Sequence, residues 1–304
     1  MNKTLKLIAA VSLAASLAGC SSDKAPEDSG NKETETNTET SAVNPHGYKI
    51  VPLEAAQLPL SLPDLDAGVI NGNYALEAKL NETSPAVAIE EFDAETSIRR
   101  TTYLVVKEGN EESEKTQALI AAITSSDVST YIENTYKGAV ITSFIDEEGN
   151  PISGGDIPDA TGDDTKITVG ATAVPHAQIL NDVLKDTLLK HGWELEVVEY
   201  TDYVQPNTAL DAGDLDANYF QTLGYMQNEN KERGLHLAAA VGVHIEPMGV
   251  YSAKAKSLSE LADGAEIGVP NDTDNYGRAI ELLNTLGLLN GAPVDPEAIK
   301  EING

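Results

Sequence analysis

The stretch DDTKITVGATAVPHAQILNDVLKDTLLKHG, residues 163–192, lies past the midpoint of a 304-residue chain yet reads as the start of a domain. A polar, Gly-rich run leads into a β-branched strand at Ile167–Val169. Pro175 then opens a helix that carries Ile179, Val183, Leu184 and Leu188 on one face. Strand, turn and amphipathic helix in this order predict the first βα unit of an α/β layer. Half of the chain precedes it, and that half needs its own account.

The first twenty residues read as an export signal. Lys3 and Lys6 precede the apolar run LIAAVSLAASLAG, which is short for a membrane span. It ends at Cys20, the single cysteine, in LAGC. That motif resembles the bacterial lipobox, which implies a diacylglycerol-bearing Cys20 and an anchor on a membrane outside the cytoplasm. Without a second cysteine no disulfide forms within the chain. Residues 21–44 are Ser, Thr, Glu and Asn with few apolar side chains, the composition of a disordered acidic tether. The net charge is −29, from 20 basic and 49 acidic residues. Such a chain offers no basic face to phosphate, so nucleic acid is not an expected partner.

Beyond residue 44, short apolar runs alternate with helical patterns: YKIVPL, LDAGVING, TTYLVVKEG, AVITSF, KITVGAT, WELEVVEY, LDANYF, LHLAAAV and EIGVP read as strands. The alternation predicts α/β architecture with mostly parallel sheets. No catalytic motif stands out: G-x-S-x-G, a Walker loop and H-E-x-x-H are all absent. The five histidines (46, 176, 191, 236, 244) have no ligand spacing in sequence, so no metal site and no cofactor are expected. In PNDTDNYGRAIELL a strand ends at Pro270, and Arg278 is expected in the first turn of a helix, beside amide groups that favour an anion. An ordinary surface ion pair is the competing reading of that arginine. VINGNYALEAKL also ends a buried strand, either as a ligand turn or as a plain Gly-Asn turn. Tyr203, Tyr219, Phe220 and Tyr225 cluster after strand-like runs, as a ligand wall or as core.

Taken together, KITVGATAVPHAQIL, VEYTDYVQPNTALDAGDLDANYFQ, GVHIEPMGVYS, IGVPNDTDNYGRAIELL, LEAAQLPLSLPDLDAGVINGNYALEA and LVVKEGN…YKGAVI resemble the NlpA-type methionine-binding lipoproteins. The resemblance covers nearly everything after residue 44, but in a changed order. In the family the KITVGAT-like segment comes first and the segments like LEAAQLP to YKGAVI come last. Here the second block precedes the first, so the chain reads as a circular permutant. Its old ends are joined by the loop 145–165, and its new ends lie near Pro45 and Gly304. Such rearrangement is tolerated where ends are exposed and close together.

The resemblance implies a two-lobe, periplasmic-binding-protein-like α/β fold with a ligand cleft between lobes. Residues 45–92 and 250–304 would form one lobe from both chain ends, and 93–249 the other. It implies Arg278 as the group that grips an amino-acid carboxylate. Asn71 would contribute to holding the head group, and Asn275, three residues before Arg278, is expected among the ligand-binding residues. Tyr203, Phe220 and Tyr225 would pack on the side chain. Two positions depart from the family's pattern. Thr222 stands where a His is common, and Thr102 stands where an Asn is usual, with Arg99 and Arg100 next to it. The expected function is that of a lipid-anchored, monomeric, non-enzymatic binding protein that hands methionine or a close relative to an ABC transporter permease. A protein for another amino acid or a short peptide, and a metal-ion-binding lipoprotein, are the alternatives.

Overall fold

The computed structural model describes residues 42–304. The expected signal, the expected lipidation site at Cys20 and the part of the expected tether up to residue 41 lie outside the described residues. Eleven strands run in chain order: β1 (Lys49–Leu53), β2 (Ala67–Ile70), β3 (Ala88–Ile89), β4 (Thr101–Lys107), β5 (Ile141–Ile145), β6 (Lys166–Thr172), β7 (Glu194–Tyr200), β8 (Ala217–Thr222), β9 (Leu237–Ile245), β10 (Gly249–Tyr251) and β11 (Glu266–Pro270). They form two sheets, ordered β1-β11-β2-β10-β3 and β5-β9-β4-β8-β6-β7. Each sheet with its helices is one lobe. The first sheet draws its strands from both ends of the described chain and the second from the middle.

The sheets are mixed, not mostly parallel. β1, β11 and β2 run parallel, as do β7, β6 and β8, whereas β10 is antiparallel to β2 and β3, and β4 is antiparallel to β8 and β9. The cause is the crossing between lobes. β4 enters the second sheet directly from the first lobe, and β9 leaves it toward β10. Strands that carry the chain in and out of a lobe at the same end must oppose one another. Side-chain period alone does not report that direction.

Each lobe has its own apolar core. In the second, Leu104, Leu119, Ile132, Val169, Leu184, Trp193 and Val241 are among the buried set. In the first, Ile50, Val69, Val250, Ile267, Ile280 and Leu283 pack together. β2 is buried at all four positions, as expected for a central strand covered on both faces. After β6, the helical segment that Pro175 opens is widened by π-type turns at Ala173–Ala177 and Leu180–Leu184. Ile179, Leu184 and Leu188 point into the core as the pattern predicts, but Leu180 joins them and Val183 is only half-buried. The widened turns rotate the face away from a regular 3.6-residue period.

The chain ends meet in the first lobe. Asn44, 2% exposed, donates from Nδ2 to the Ile302 carbonyl at 2.9 Å. The Ile50 amide donates to Asn303 Oδ1 at 2.8 Å, and Asn303 Nδ2 returns to the Ile50 carbonyl at 3.0 Å. The packed chain therefore begins ahead of Pro45. The segment 146–165 has no long element, yet it is a strap and not a slack link. Ile152, Ile157 and Ala160 pack on the second core, Trp193 Nε1 donates to the Pro158 carbonyl at 2.8 Å, and Thr161 Oγ1 reaches Glu114. Among the described residues no helix is long and apolar enough to cross a membrane.

Candidate functional site

The carboxyl ends of β2, β11 and β8, together with the crossing segments, converge on one closed cleft whose free space of about 30 Å³ is room for about two water molecules. Its wall contains Asn71, Gly72 and Asn73 after β2, Asn275 and Arg278 after β11, and Phe220, Gln221, Thr222 and Tyr225 at the end of β8. Tyr203 follows β7, Arg100 and Thr102 flank the start of β4, and Glu246 follows β9. All eight residues singled out from the sequence thus line a single cavity: Arg278, Asn71, Asn275, Tyr203, Phe220, Tyr225, Thr222 and Thr102. Tyr219, read as a possible wall residue, is fully buried in the second core instead.

The first-lobe wall rests on a relay of amides. Asp272 caps the helix Thr273–Thr285 by accepting from the Asn275 backbone amide at 2.9 Å. Asn275 Nδ2 also donates to the Asp272 carboxylate, at 3.0 and 3.1 Å. Asn275 Oδ1 is thereby left to accept from Asn71 Nδ2 at 2.7 Å. Each amide's orientation follows from the one before it, and Asn71 Oδ1 ends as a buried acceptor with no partner in the protein. Burial pushes the Asp272 carboxyl up to about 7, with the Asn275 amide pulling the other way. Gly72 is required next to Asn71: a Cβ there would lie 2.8 Å from Glu246 Cβ and 2.9 Å from the Pro247 carbonyl oxygen.

Arg278 is not where the sequence placed it. The helix starts at Thr273, so Arg278 stands in its second turn, and the anion at the helix start is the chain's own Asp272. The guanidinium is already paired. Its Nε lies 3.0 Å from both oxygens of Glu90, and its Nη2 lies 2.5 Å from Glu90 Oε2 and 2.9 Å from the Glu246 carbonyl oxygen. Burial favours its neutral form, but Glu90 outweighs this and raises the pKa. Arg100 is the second guanidinium of the cavity, 3% exposed. Its Nη2 donates to Glu281 at 2.7 Å, while its Nη1 has no hydrogen-bond partner. Burial first, then Arg278, pushes the Arg100 pKa down.

The second-lobe wall is aromatic. Tyr203, Phe220 and Tyr225 have ring centroids 5.6 to 6.1 Å apart, and Tyr74 stacks on Tyr203 at 5.0 Å. Thr222 caps the helix Leu223–Arg233 by accepting from the Tyr225 amide, and its hydroxyl donates to Asp274 across the cleft at 3.3 Å. The Tyr203 hydroxyl donates to Asn73 Oδ1 at 2.6 Å, leaving Asn73 Nδ2 as a buried donor without a partner.

Histidines 176 and 244, far apart in sequence, meet at Glu246. His244 Nε2 lies 2.6 Å and His176 Nε2 2.9 Å from Glu246 Oε1. Thr172 hydrogen-bonds His176 Nδ1 at 2.8 Å, and Tyr219 hydrogen-bonds His244 Nδ1. Burial would raise the Glu246 pKa, but His176 and His244 outweigh it and bring it down to about 2. Burial lowers the His244 pKa. These three ligand atoms, within 4.8 Å of one another, are also the set that would hold a metal ion. The sequence reading, which looked for histidine spacing along the chain, did not bring them together. Asn73, Arg100 and Glu246 were likewise not named as site residues, though each falls within a stretch already quoted or beside a named position. Glu90 carries no local signal.

The NlpA lipoprotein family matches residues 28–144 and 167–295. Outer membrane lipoprotein 2 of Mannheimia haemolytica is 43% identical over 123 residues, 40% of this chain and 45% of that protein. The D-methionine-binding lipoprotein MetQ of Escherichia coli (strain K12) is 44% identical over 113 residues, 37% and 41% of the two chains. Among solved structures, a nutrient binding protein from Burkholderia cenocepacia bound to methionine is 47% identical, with a TM-score of 0.39 over 40% of this chain and 50% of that one. The matched stretch spans less than half the length of these curated relatives. The family match takes in most of the sequence, and on that ground this chain belongs to the NlpA lipoprotein family.

Proposed function

We propose that this chain is a lipid-anchored binding protein of an ABC importer, holding methionine or a close relative as a zwitterion between its lobes. One observation carries the reading. Three buried polar atoms without hydrogen-bond partners belong to residues that line a single cavity: the acceptor Asn71 Oδ1 and the donors Asn73 Nδ2 and Arg100 Nη1, the last 3.8 Å from Asp274 Oδ1. Orphaned buried polar atoms cost about 1–3 kcal/mol each, so a native cleft that keeps three is built for a polar guest. A zwitterion supplies both complements, an ammonium for the acceptor and a carboxylate for the donors. Glu246, held ionised, adds a negative charge for the ammonium. The aromatic wall suits an apolar side chain, and the closed cleft opens between its lobes to admit it. The names of curated relatives as D-methionine-binding lipoproteins point the same way.

The anchor at Cys20, the outward-facing location, the monomeric state and the permease partner are part of this proposal, as is the circular permutation. Support for the permutation comes from the hydrogen-bonded chain ends and from a family match that breaks at the strap. Titration calorimetry with a panel of free amino acids tests the function. Saturable binding of a methionine isomer is expected. Absence of saturable heat with every amino acid overturns the reading. The cluster His176–His244–Glu246 favours a second reading, a metal-ion-binding lipoprotein. Native mass spectrometry separates the two, since a bound metal and a bound amino acid differ in mass.

A further inference from the structure

We propose that His176, His244 and Glu246 form a metal site within the second lobe, which takes a single divalent ion of the zinc class as a resident of the fold. This site stands independently of the amino-acid reading above. It also differs from a metal cargo, which would be held between the lobes and released when they part.

The three groups come from separate stretches of the chain. His176 follows β6, His244 lies in β9, and Glu246 is the first residue past that strand. They are 1%, 0% and 8% exposed. Both imidazoles bring Nε2 to the same oxygen, Glu246 Oε1, at 2.9 Å from His176 and 2.6 Å from His244. The His244 contact is a hydrogen bond. The His176 contact is not aligned as one, and His176 Nε2 is a buried ring nitrogen without a hydrogen-bond partner. The other histidines, 46, 191 and 236, each meet one aspartate at the surface. Convergence of two rings on one buried oxygen belongs to this cluster alone among the five.

Two imidazole nitrogens and a carboxylate oxygen are a donor set for zinc and its neighbours. Calcium and magnesium take about six or more oxygen ligands instead. Tetrahedral bonds of about 2.0–2.2 Å put neighbouring ligand atoms about 3.3 Å apart. The two N···O separations are shorter than that by roughly half an ångström, so a small outward turn of the rings admits the ion. Glu246 also lines the cleft, whose free space supplies a water for the remaining position.

The far side of each ring permits the exchange. Thr172 Oγ1 lies 2.8 Å from His176 Nδ1, and the Tyr219 hydroxyl hydrogen-bonds His244 Nδ1. A hydroxyl both donates and accepts. It serves a ring whose proton is on Nε2, facing Glu246. It serves equally a ring whose proton is on Nδ1, with the Nε2 lone pair on a metal. An N–H donor at Nδ1 would forbid that second state, and metal-bound histidines are oriented by such Nδ1–H···O contacts. Strands β6 and β9 share the second sheet, so the site stays whole when the lobes part. That is the mark of a resident ion rather than a transported one.

Calorimetry with zinc on the full chain, stripped beforehand with a chelator, tests the site. A single tight zinc ion per chain is expected, undisturbed by calcium or magnesium. The chain carries 49 acidic residues, so surface binding must be told apart. His176→Ala should weaken the tight site by a factor on the order of 100. Thr172→Val, which removes only the hydroxyl at Nδ1, should weaken it about tenfold and carries the test if His176→Ala fails to melt cooperatively. Cobalt in place of zinc should show the visible absorption of a four- or five-coordinate site, lost in the same variants. Absence of tight zinc binding overturns the assignment, and so does an affinity that these variants leave unchanged. Zinc should stay bound in saturating methionine; its displacement by methionine would place the ion in the cleft and overturn its residence in the lobe. A chain that holds zinc but no amino acid keeps this site and loses the amino-acid reading, and the converse result keeps that reading and loses this site.

Discussion

Two buried polar clusters meet near the end of β8, and they are built to opposite rules. In one, Asn207, Asn218 and the wall residue Gln221 close on one another. Asn207 Nδ2 donates to Gln221 Oε1 at 2.8 Å, Gln221 Nε2 donates to Asn207 Oδ1 and Asn218 Oδ1 at 2.6 and 2.8 Å, and Asn218 Nδ2 donates to Asn207 Oδ1 at 2.8 Å. None of these atoms is left over. In the other, Asn71, Asn73 and Arg100 each keep one buried atom without a hydrogen-bond partner. Residue type does not separate the clusters, since both are rich in asparagine. Completeness does: a closed network fixes the helix Gln205–Ala212 against β8, whereas an open one is available to a guest.

The sharpest break of that contrast is a matched pair of truncations. Asn207→Ala strips Gln221 Oε1 of its donor and opens a void in a site with no exposure, so a loss of about 3 kcal/mol or more in unfolding free energy is expected. Asn73→Ala removes an atom that had no partner and one bond to Tyr203, so stability should move by less than about 1 kcal/mol while ligand affinity falls. Chemical denaturation and calorimetry on both variants give the comparison. If Asn73→Ala proves the more destabilising, the open cluster is structural and the division is wrong.

A second contrast lies between Glu246 of the cavity wall and Asp272, which holds the wall residue Asn275: their pKa values are shifted in opposite directions. The Glu246 pKa is depressed in the fold, so its contribution is fully present above about pH 4.5 and is lost as pH falls from there through about 2. His244, also depressed, acts in the same sense below pH 6.5. Asp272 is raised to about 7, so on acidification it stabilises the fold between about pH 7 and 3.8. The wild type minus Glu246→Gln difference cancels Asp272. It should shrink by about 2–3 kcal/mol as pH falls from 5 toward 2. Denaturation midpoints at several pH values give the difference, and one that stays flat over that span removes the ionised Glu246 from the account.

The fold was readable where information is local. Short apolar strands such as Ala67–Ile70 between turn residues announce a doubly covered sheet, and the alternation with helices announces an α/β fold, while the two lobes follow from the resemblance. Strand direction at the crossing was not, because β4 and β9 oppose one another only through the path of the whole chain. The site divides along the same line. Asn71 stands at a strand end and Arg278 near a helix start, positions that the sequence marks and that the resemblance turns into expected ligand contacts. The state of Arg278 is set by Glu90, 188 residues away, and that of His176 by Glu246. No spacing rule reaches such partners. The pairing of Arg278 and the meeting of the two histidines are hidden from the sequence for a common reason: each group's chemistry is decided by a neighbour contributed from another part of the chain.

The contact between the lobes offers the mildest test, because it leaves both clusters intact. Gly224, in the first turn of the helix Leu223–Arg233, faces Asp274 of the other lobe: a Cβ on it would lie 2.5 Å from Asp274 Oδ1 and 3.2 Å from its Cγ. Asp274 is 6% exposed and accepts from the Thr222 hydroxyl, so its side chain has little room to retreat. Gly224→Ala should therefore hold the lobes slightly apart. Within its own helix the change is favourable, since alanine gains up to about 1 kcal/mol over glycine in a helix interior. Stability should thus be unchanged or a little higher, while affinity for the amino acid falls about tenfold, or about 1.4 kcal/mol. The open cluster would then be shown to need both lobes, since nothing in either wall has been altered. Small-angle scattering with and without ligand reports whether the lobes still close. Full affinity together with an unchanged scattering profile would mean that the cleft tolerates the extra methyl and that the lobes do not meet as tightly as Gly224 and Asp274 do here.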